Sequence, residues 1–390
     1  YKRQVYMKNI NLVIILFLLI GCKKNEQPIN NFITVDITAN YPKKEMILQD
    51  FMDVEYIPLE TTDEFICQGF IQAIGKDMII AKNRSNDGNI YIYNREGKAL
   101  RKINRKGQGG EEYTDILKIV LDEDNNEIFV NDMYAKKILV YDLEGNFRRS
   151  LPHKGDFLFF EMFNFDRENL ICHDAFNDNN SLAFHTGHSF MLVSKQDGSI
   201  TKEIQIPFKE KKSIVMRTKD ETTGMTYAYL PSCVYPIIPY FNNYLLMELS
   251  ADTLYTYSQD HTMKPAIVRV PSVQSMMPEV FLLPSVLTDR YYFMGTVKKE
   301  YGFPGIDLVY DKKEKTIFKY TVYNNDYSSK EEVYMKSLPG NEEIASILYL
   351  EAPKLVEDHE RGRLKGRLKE IAASLDEESN PVIMLIKHKK

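Results

Sequence analysis

The stretch HDAFNDNNSLAFHTGH, residues 173–188, gathers His173, Asp174, Asp178, His185 and His188. His185 and His188 stand three apart, and imidazole nitrogens beside carboxylates form the donor set of a divalent metal such as zinc or manganese. The same stretch is rich in Asn, Asp and Ser, the composition of an exposed loop between strands. His173 closes an apolar run at a place where two similar runs close on Lys82 and Asn131. The reading taken is a loop without a metal, His173, His185 and His188 being the candidate ligands, and no cofactor is expected.

Two other stretches invite chemistry. KGQGGEEY (106–113) is glycine-rich, but it lacks the Gly-Lys-Ser/Thr ending of a phosphate loop and follows a hairpin strand. It reads as a connection between sheets. Tyrosines crowd residues 225–241, and Tyr227, Tyr229 and Tyr235 are the candidate ligand-binding residues, since a phenol offers an apolar ring and a hydroxyl together. No Gly-x-Ser-x-Gly, His-Glu-x-x-His or Cys-x-x-Cys pattern occurs, so no catalytic residue can be named.

The chain start carries a different signal. An apolar run from Leu12 to Ile20 follows Lys8 and ends in Gly21 and Cys22. It is too short to span a bilayer, which takes roughly 20 apolar residues. A cationic start, a short apolar core and small residues at its end are the marks of a secretory leader. Leu19-Ile20-Gly21-Cys22 resembles the lipobox of bacterial lipoproteins, in which the chain is cut before the cysteine and its thiol is acylated. That resemblance implies a leader over 1–22, a lipid on Cys22 and a polar tether over 23–31.

The elements that must position any site are strands. IYIYNREGKALRKI (90–103) and ILVYDLEGNFRRSL (138–151) share alternating apolar positions, a Tyr-Asn or Tyr-Asp step and a Glu-Gly turn. Each is a β-hairpin in which Gly97 or Gly145 supplies the left-handed residue. Weaker copies begin at residues 190, 253 and 307, and each hairpin follows a further short strand such as MIIA (78–81) or EIFVND (127–132). Ile79 and Ile128 lie 49 residues apart, Tyr93 and Tyr141 48. Four strands every 50 or so residues are the pattern of propeller blades. The spacing predicts six, the last assembled from VEYIPLE (54–60) and NPVIMLIKHK (380–389) so that no sheet edge stays open. Residues 353–376 place Leu364, Leu368, Ile371 and Leu375 at helical spacing, which predicts one amphipathic helix against the ring.

Composition removes some functions. Lys and Arg number 50 against 55 Asp and Glu, a net charge of −5, which offers no basic field for nucleic acid. Beyond Cys22 only Cys67, Cys172 and Cys233 remain, an odd and widely spaced set that reads as buried small apolar residues.

VEYIPLETTDE (54–64), INRKGQGGEEY (103–113), SADTLYTYSQD (250–260) and the final NPVIMLIKHK resemble secreted six-bladed β-propeller lipoproteins of Gram-negative bacteria, related to NHL-repeat proteins. The expectation is an all-β chain with a six-bladed propeller over 32–390, a composite closing blade and a short C-terminal helix. It would act in the cell envelope, anchored in the outer membrane and facing the periplasm or the surface. There it would be a binding or scaffold module for a glycan, a peptide or an envelope protein. The alternative is a propeller enzyme, a lyase or hydrolase of carbohydrate or peptide, working in the central funnel.

Overall fold

The computed structural model describes residues 32–154, 157–174, 189–232, 234–336, 341 and 343–389. It opens with β1 (Ile33–Asp36), β2 (Lys43–Ile47), the single turn α1 (Leu48–Phe51) and β3 (Met52–Pro58). Blade I is the antiparallel meander β4 (Phe70–Ile74), β5 (Met78–Lys82), β6 (Asn89–Asn94) and β7 (Ala99–Asn104). Blade II repeats it as β8 (Lys118–Asp122), β9 (Glu127–Asp132), β10 (Lys137–Asp142) and β11 (Phe147–Pro152). Blade III is β12 (Phe159–Asn164), β13 (Asn169–Asp174), β14 (Phe190–Ser194) and β15 (Ile200–Ile204). A separate hairpin, β16 (Met216–Lys219) and β17 (Thr226–Tyr229), then interrupts the series. Blade IV is β18 (Ile237–Tyr240), β19 (Asn243–Leu246), β20 (Thr253–Ser258) and β21 (Met263–Val270). Blade V is β22 (Val280–Leu287), β23 (Tyr291–Lys298), β24 (Gly305–Asp311) and β25 (Thr316–Asn324), with β26 (Glu331–Glu332) beside the last. β27 (Ile344–Leu350), α2 (Ala352–Glu360), α3 (Gly366–Ala372) and β28 (Val382–His388) follow.

The closing blade is composite, as its sequence predicts. β28 lies between β27 and β3, with Leu385 opposite Glu55. It differs from the expected four strands: three are paired among the described residues. β27 also runs against its neighbour β4. Asn341, just before β27, donates to the Ile74 carbonyl at the end of β4, whereas Tyr349 near the end of β27 accepts from the Ile71 amide near the start of β4.

Burial explains the composition of the strands. The middle strands β9 and β10 are buried at nearly every position because a neighbouring blade covers each face, so they read as continuous apolar runs. The outer strands β7 and β11 alternate buried and exposed residues. Six apolar clusters among the described residues each draw mainly on two adjoining blades. The one that joins Ile57 and Ile383 to Ile71 and Ile79 closes the ring.

The hairpin glycines locate the next blade. Gly97 has φ +85° and Gly145 φ +86°, with Asn94 and Asp142 accepting from the turn amides. A Cβ on Gly145 would meet Ile103 at the end of β7, and one on Gly97 would stand 2.1 Å from the Pro58 carbonyl at the end of β3. The same turn thus seats on the outer strand of the preceding blade, and β3 fills that place in the closing blade.

Two features depart from the expected plan. The first three strands form a strap: β1 adds in parallel to β21 of blade IV, β2 in parallel to β25 of blade V, and β3 to the closing blade. The single helix expected over 353–376 is two short ones. Gly362 and Gly366 take positive φ and break it, and Leu364 sits in the extended link that bridges to Tyr327. Leu364, Leu368 and Ile371 are nonetheless buried in the cluster between blade V and the closing blade, with Leu375 packed against it. Among the described residues no helix is long and apolar enough to cross a membrane.

Candidate functional site

The innermost strands surround an opening of about 1240 Å³, walled mainly by β4, β8, β12 and β27 with contributions from blade IV. Side chains that cross from one blade to the next fix this wall. Gln72 Oε1 accepts from the Ile119 amide at 3.2 Å, Asn164 Nδ2 donates to the Leu121 carbonyl at 2.5 Å, and the Tyr244 hydroxyl donates to the Asn164 carbonyl. Each buried backbone group so paired avoids a desolvation cost of about 1–3 kcal/mol.

Strand direction gives the ring two distinct faces. The β5–β6 and β9–β10 turns and the connections leading into blades I to V leave by one end, here the upper face; the β4–β5 and β6–β7 turns leave by the lower, where β27 also begins. Toward the lower face, Lys195 Nζ lies 2.6 Å from Asp122 Oδ2, both side chains about 5% exposed, and also donates to the Asp166 carbonyl. Arg149 grips the Lys195 carbonyl and binds Glu127 through both terminal nitrogens. In the upper half, Lys118 Nζ lies 3.3 Å from Glu161 and 4.9 Å from the centre of the Phe163 ring.

At the upper mouth stand Phe70, Lys82, Arg84, Asp115 and Phe160. Lys82 ends β5 half-buried, its Nζ 5.8 Å from the Phe70 ring centre, and burial pushes its pKa down against the pull of Asp115 and Asp87. The described lining residues include no serine, threonine, cysteine or histidine. The described lining thus presents charged groups, side-chain amides and aromatic rings.

The sequence candidates separate. Tyr235 lines the opening. Tyr227 and Tyr229 sit on β17, 45% and 43% exposed, facing the same side as Thr218 and Met216. His173 is buried in blade III with its ring 5.2 Å from Phe190, while His185 and His188 lie outside the described residues, as do Cys22 and Cys233. Among the described residues no group of three or more His, Cys, Asp or Glu is placed to hold a metal. Cys67 and Cys172 are buried. In the glycine segment, the Gly109 amide is taken by the Glu112 carboxylate, so the loop supplies its own anion.

Sequence reasoning missed Lys82, Arg84 and Phe160. The available signal was positional: Lys82 ends the second strand of its blade, where blade II has Asn131 and Asp132. Exposed apolar side chains were also hidden in the pattern. Tyr134, Phe160, Phe208, Met277 and Tyr301, with Met225, Tyr227, Tyr229 and Leu230 of the hairpin segment, all lie on upper-face turns, connections or strand starts, as does Ile66. Leu100, on an outer strand, and Tyr334, beside the outer edge of β25, are exposed elsewhere.

A family model described as a 6-bladed beta-propeller matches residues 23–346. No curated protein matches the chain. A crystal structure of a Bacteroides fragilis protein described as exported is similar at TM-score 0.58 and 16% identity, over 89% of this chain and 99% of that one. A DUF4221 member from Bacteroides vulgatus gives TM-score 0.46 and 12% identity, over 87% and 98%. A virginiamycin B lyase from Staphylococcus aureus gives 0.38 and 9%, over 86% and 100%. At these identities the first likeness is one of fold.

Proposed function

The chain belongs to the DUF5128 family of six-bladed β-propellers, and from that premise we propose that it is a cell-envelope binding module whose upper face docks a peptide or protein partner. The concentration of exposed Met, Leu, Phe and Tyr side chains on that face carries the reading. Aromatic residues and Met are the side chains enriched where proteins meet, and the chain has no Trp with which to build a sugar-stacking floor. The apolar run ending in Cys22 supports export and a lipid anchor in the outer membrane, with 23–31 as tether. The similarly folded Bacteroides fragilis protein is described as exported.

A photo-crosslinking residue placed at Tyr134 or Tyr227 tests the docking face in intact cells, with Lys313 on the lower face as the control. Discrete adducts from the upper positions alone are expected. Adducts of equal yield from all three, or none, would overturn the assignment. Cys22→Ala should release the protein to the soluble fraction; retention in the membrane would remove the anchor.

A further inference from the structure

The upper mouth holds two cations, Lys82 and Arg84, without an ion pair among the described residues. Of the charged groups lining the opening, Lys118 is paired with Glu161 and Lys195 with Asp122. Neither the Lys82 nor the Arg84 side chain makes a hydrogen bond or an ion pair with any described residue. Asp115 and Asp87 both lie near enough to stabilise the Lys82 charge, and neither forms an ion pair with it. The Asp87 oxygens accept from Asn83 and Asn89, neutral donors, so that neither cation is bound by it directly.

A half-buried ammonium that faces a ring but no anion is costly, because the lost hydration is only partly repaid. The cost is recovered when a carboxylate arrives. Arg84 is exposed and holds the planar donor fork that grips a carboxylate through two nitrogens. Phe160, 48% exposed, and Phe70 supply apolar surface at the same mouth.

Building on the upper-face reading, we propose that Lys82 and Arg84 receive the carboxylate of an acidic residue in the partner, flanked by apolar residues that settle on Phe160 and Phe70. The partner is thus an acidic peptide segment, and its capture weakens as salt screens the two cations.

Two dye-labelled decapeptide pools of equal apolar content test this by fluorescence anisotropy, one with Asp or Glu at two central positions, the other with Asn or Gln there. The acidic pool should bind about tenfold more tightly, and Lys82→Met/Arg84→Gln should reduce it to the level of the neutral pool while leaving the neutral pool unchanged. Arg84→Gln alone, at an exposed side chain, should remove part of the preference and serves if the double variant misfolds. The Lys82 pKa, followed by NMR of its Nζ, should rise on saturation with the acidic pool. Equal affinity for the two pools, or a preference that survives the double variant, overturns the carboxylate site and leaves the docking face standing. If neither pool binds, the docking face and the site fall together.

Discussion

Replacing Lys195 by methionine isolates the strongest electrostatic contact in the wall of the opening. Lys195 Nζ and Asp122 Oδ2 lie 2.6 Å apart with both side chains about 5% exposed. At an effective dielectric of about 20 that separation corresponds to roughly 6 kcal/mol of attraction, much of it offset by the cost of removing both charges from water. The methionine keeps the apolar stem and leaves the Asp122 carboxylate with Asn125 as its remaining side-chain donor, while the Asp166 carbonyl loses the ammonium. Breaking a buried pair on one side typically costs about 3–5 kcal/mol. For roughly 340 described residues, an unfolding entropy of about 2.1 cal/mol/K each makes a loss of ~4 kcal/mol equal to about 6 K in thermal midpoint. Lys195→Met/Asp122→Leu removes both charges and should return most of that loss. Circular dichroism melts of the three proteins decide the matter. A single variant within about 1 K of the parent, or a double variant no more stable than the single, would refute the view that an uncompensated charge sets the cost.

Three further tests probe the fold. Gly97→Ala should destabilise by more than about 2 kcal/mol, since its φ is +85° and the new Cβ would stand 2.1 Å from the Pro58 carbonyl; Gly224→Ala, at φ +69° with open space around it, should cost only about 1 kcal/mol in the same denaturant titration. Val35→Ala in the fully buried centre of β1 should lower the unfolding free energy by about 2 kcal/mol and promote association through the uncovered edge of β21, visible by light scattering. Burial pushes the His153 imidazole down to about 4, against about 6.5 when unfolded, so its neutral form contributes fully above pH 6.5 and that contribution, roughly 3 kcal/mol, is lost as the pH falls toward 4. His153→Phe should flatten melting temperature against pH over that window; an unchanged slope would assign the acid sensitivity elsewhere.

The ring was legible because its repeat is local. Each Tyr-Asn or Tyr-Asp followed by Glu-Gly reports a hairpin through turn chemistry, and blade number follows from spacing. The closing blade was legible because VEYIPLE and NPVIMLIKHK were the two β-rich runs left without partners. β1 and β2 were not: four- and five-residue strands that pair in parallel with distant partners leave no turn and little alternation to read. The break at Gly362 and Gly366 was obscured because Leu364 remains buried whether or not the helix is continuous. The mouth was hidden for a topological reason. Lys82, Asp115 and Phe160 come from three blades and meet only when the ring closes, so nothing in their immediate neighbourhoods marks them as a set. Tyr235 was reached through its tyrosine cluster, and that cluster also led to Tyr227 and Tyr229, which the chain carries out on a hairpin.

The strap bears on how the molecule would carry a load. A pull arriving at residue 32 acts lengthwise along β1, whose partner β21 runs in the same direction. The hydrogen bonds of that pair must then slip together rather than open one at a time from an end. Behind β1 the strain passes through residues 37–42 to β2 on blade V and only afterwards to β3, where the two ends of the chain meet. Tension entering at that end would thus be taken up on the outer rim before it reached the seam.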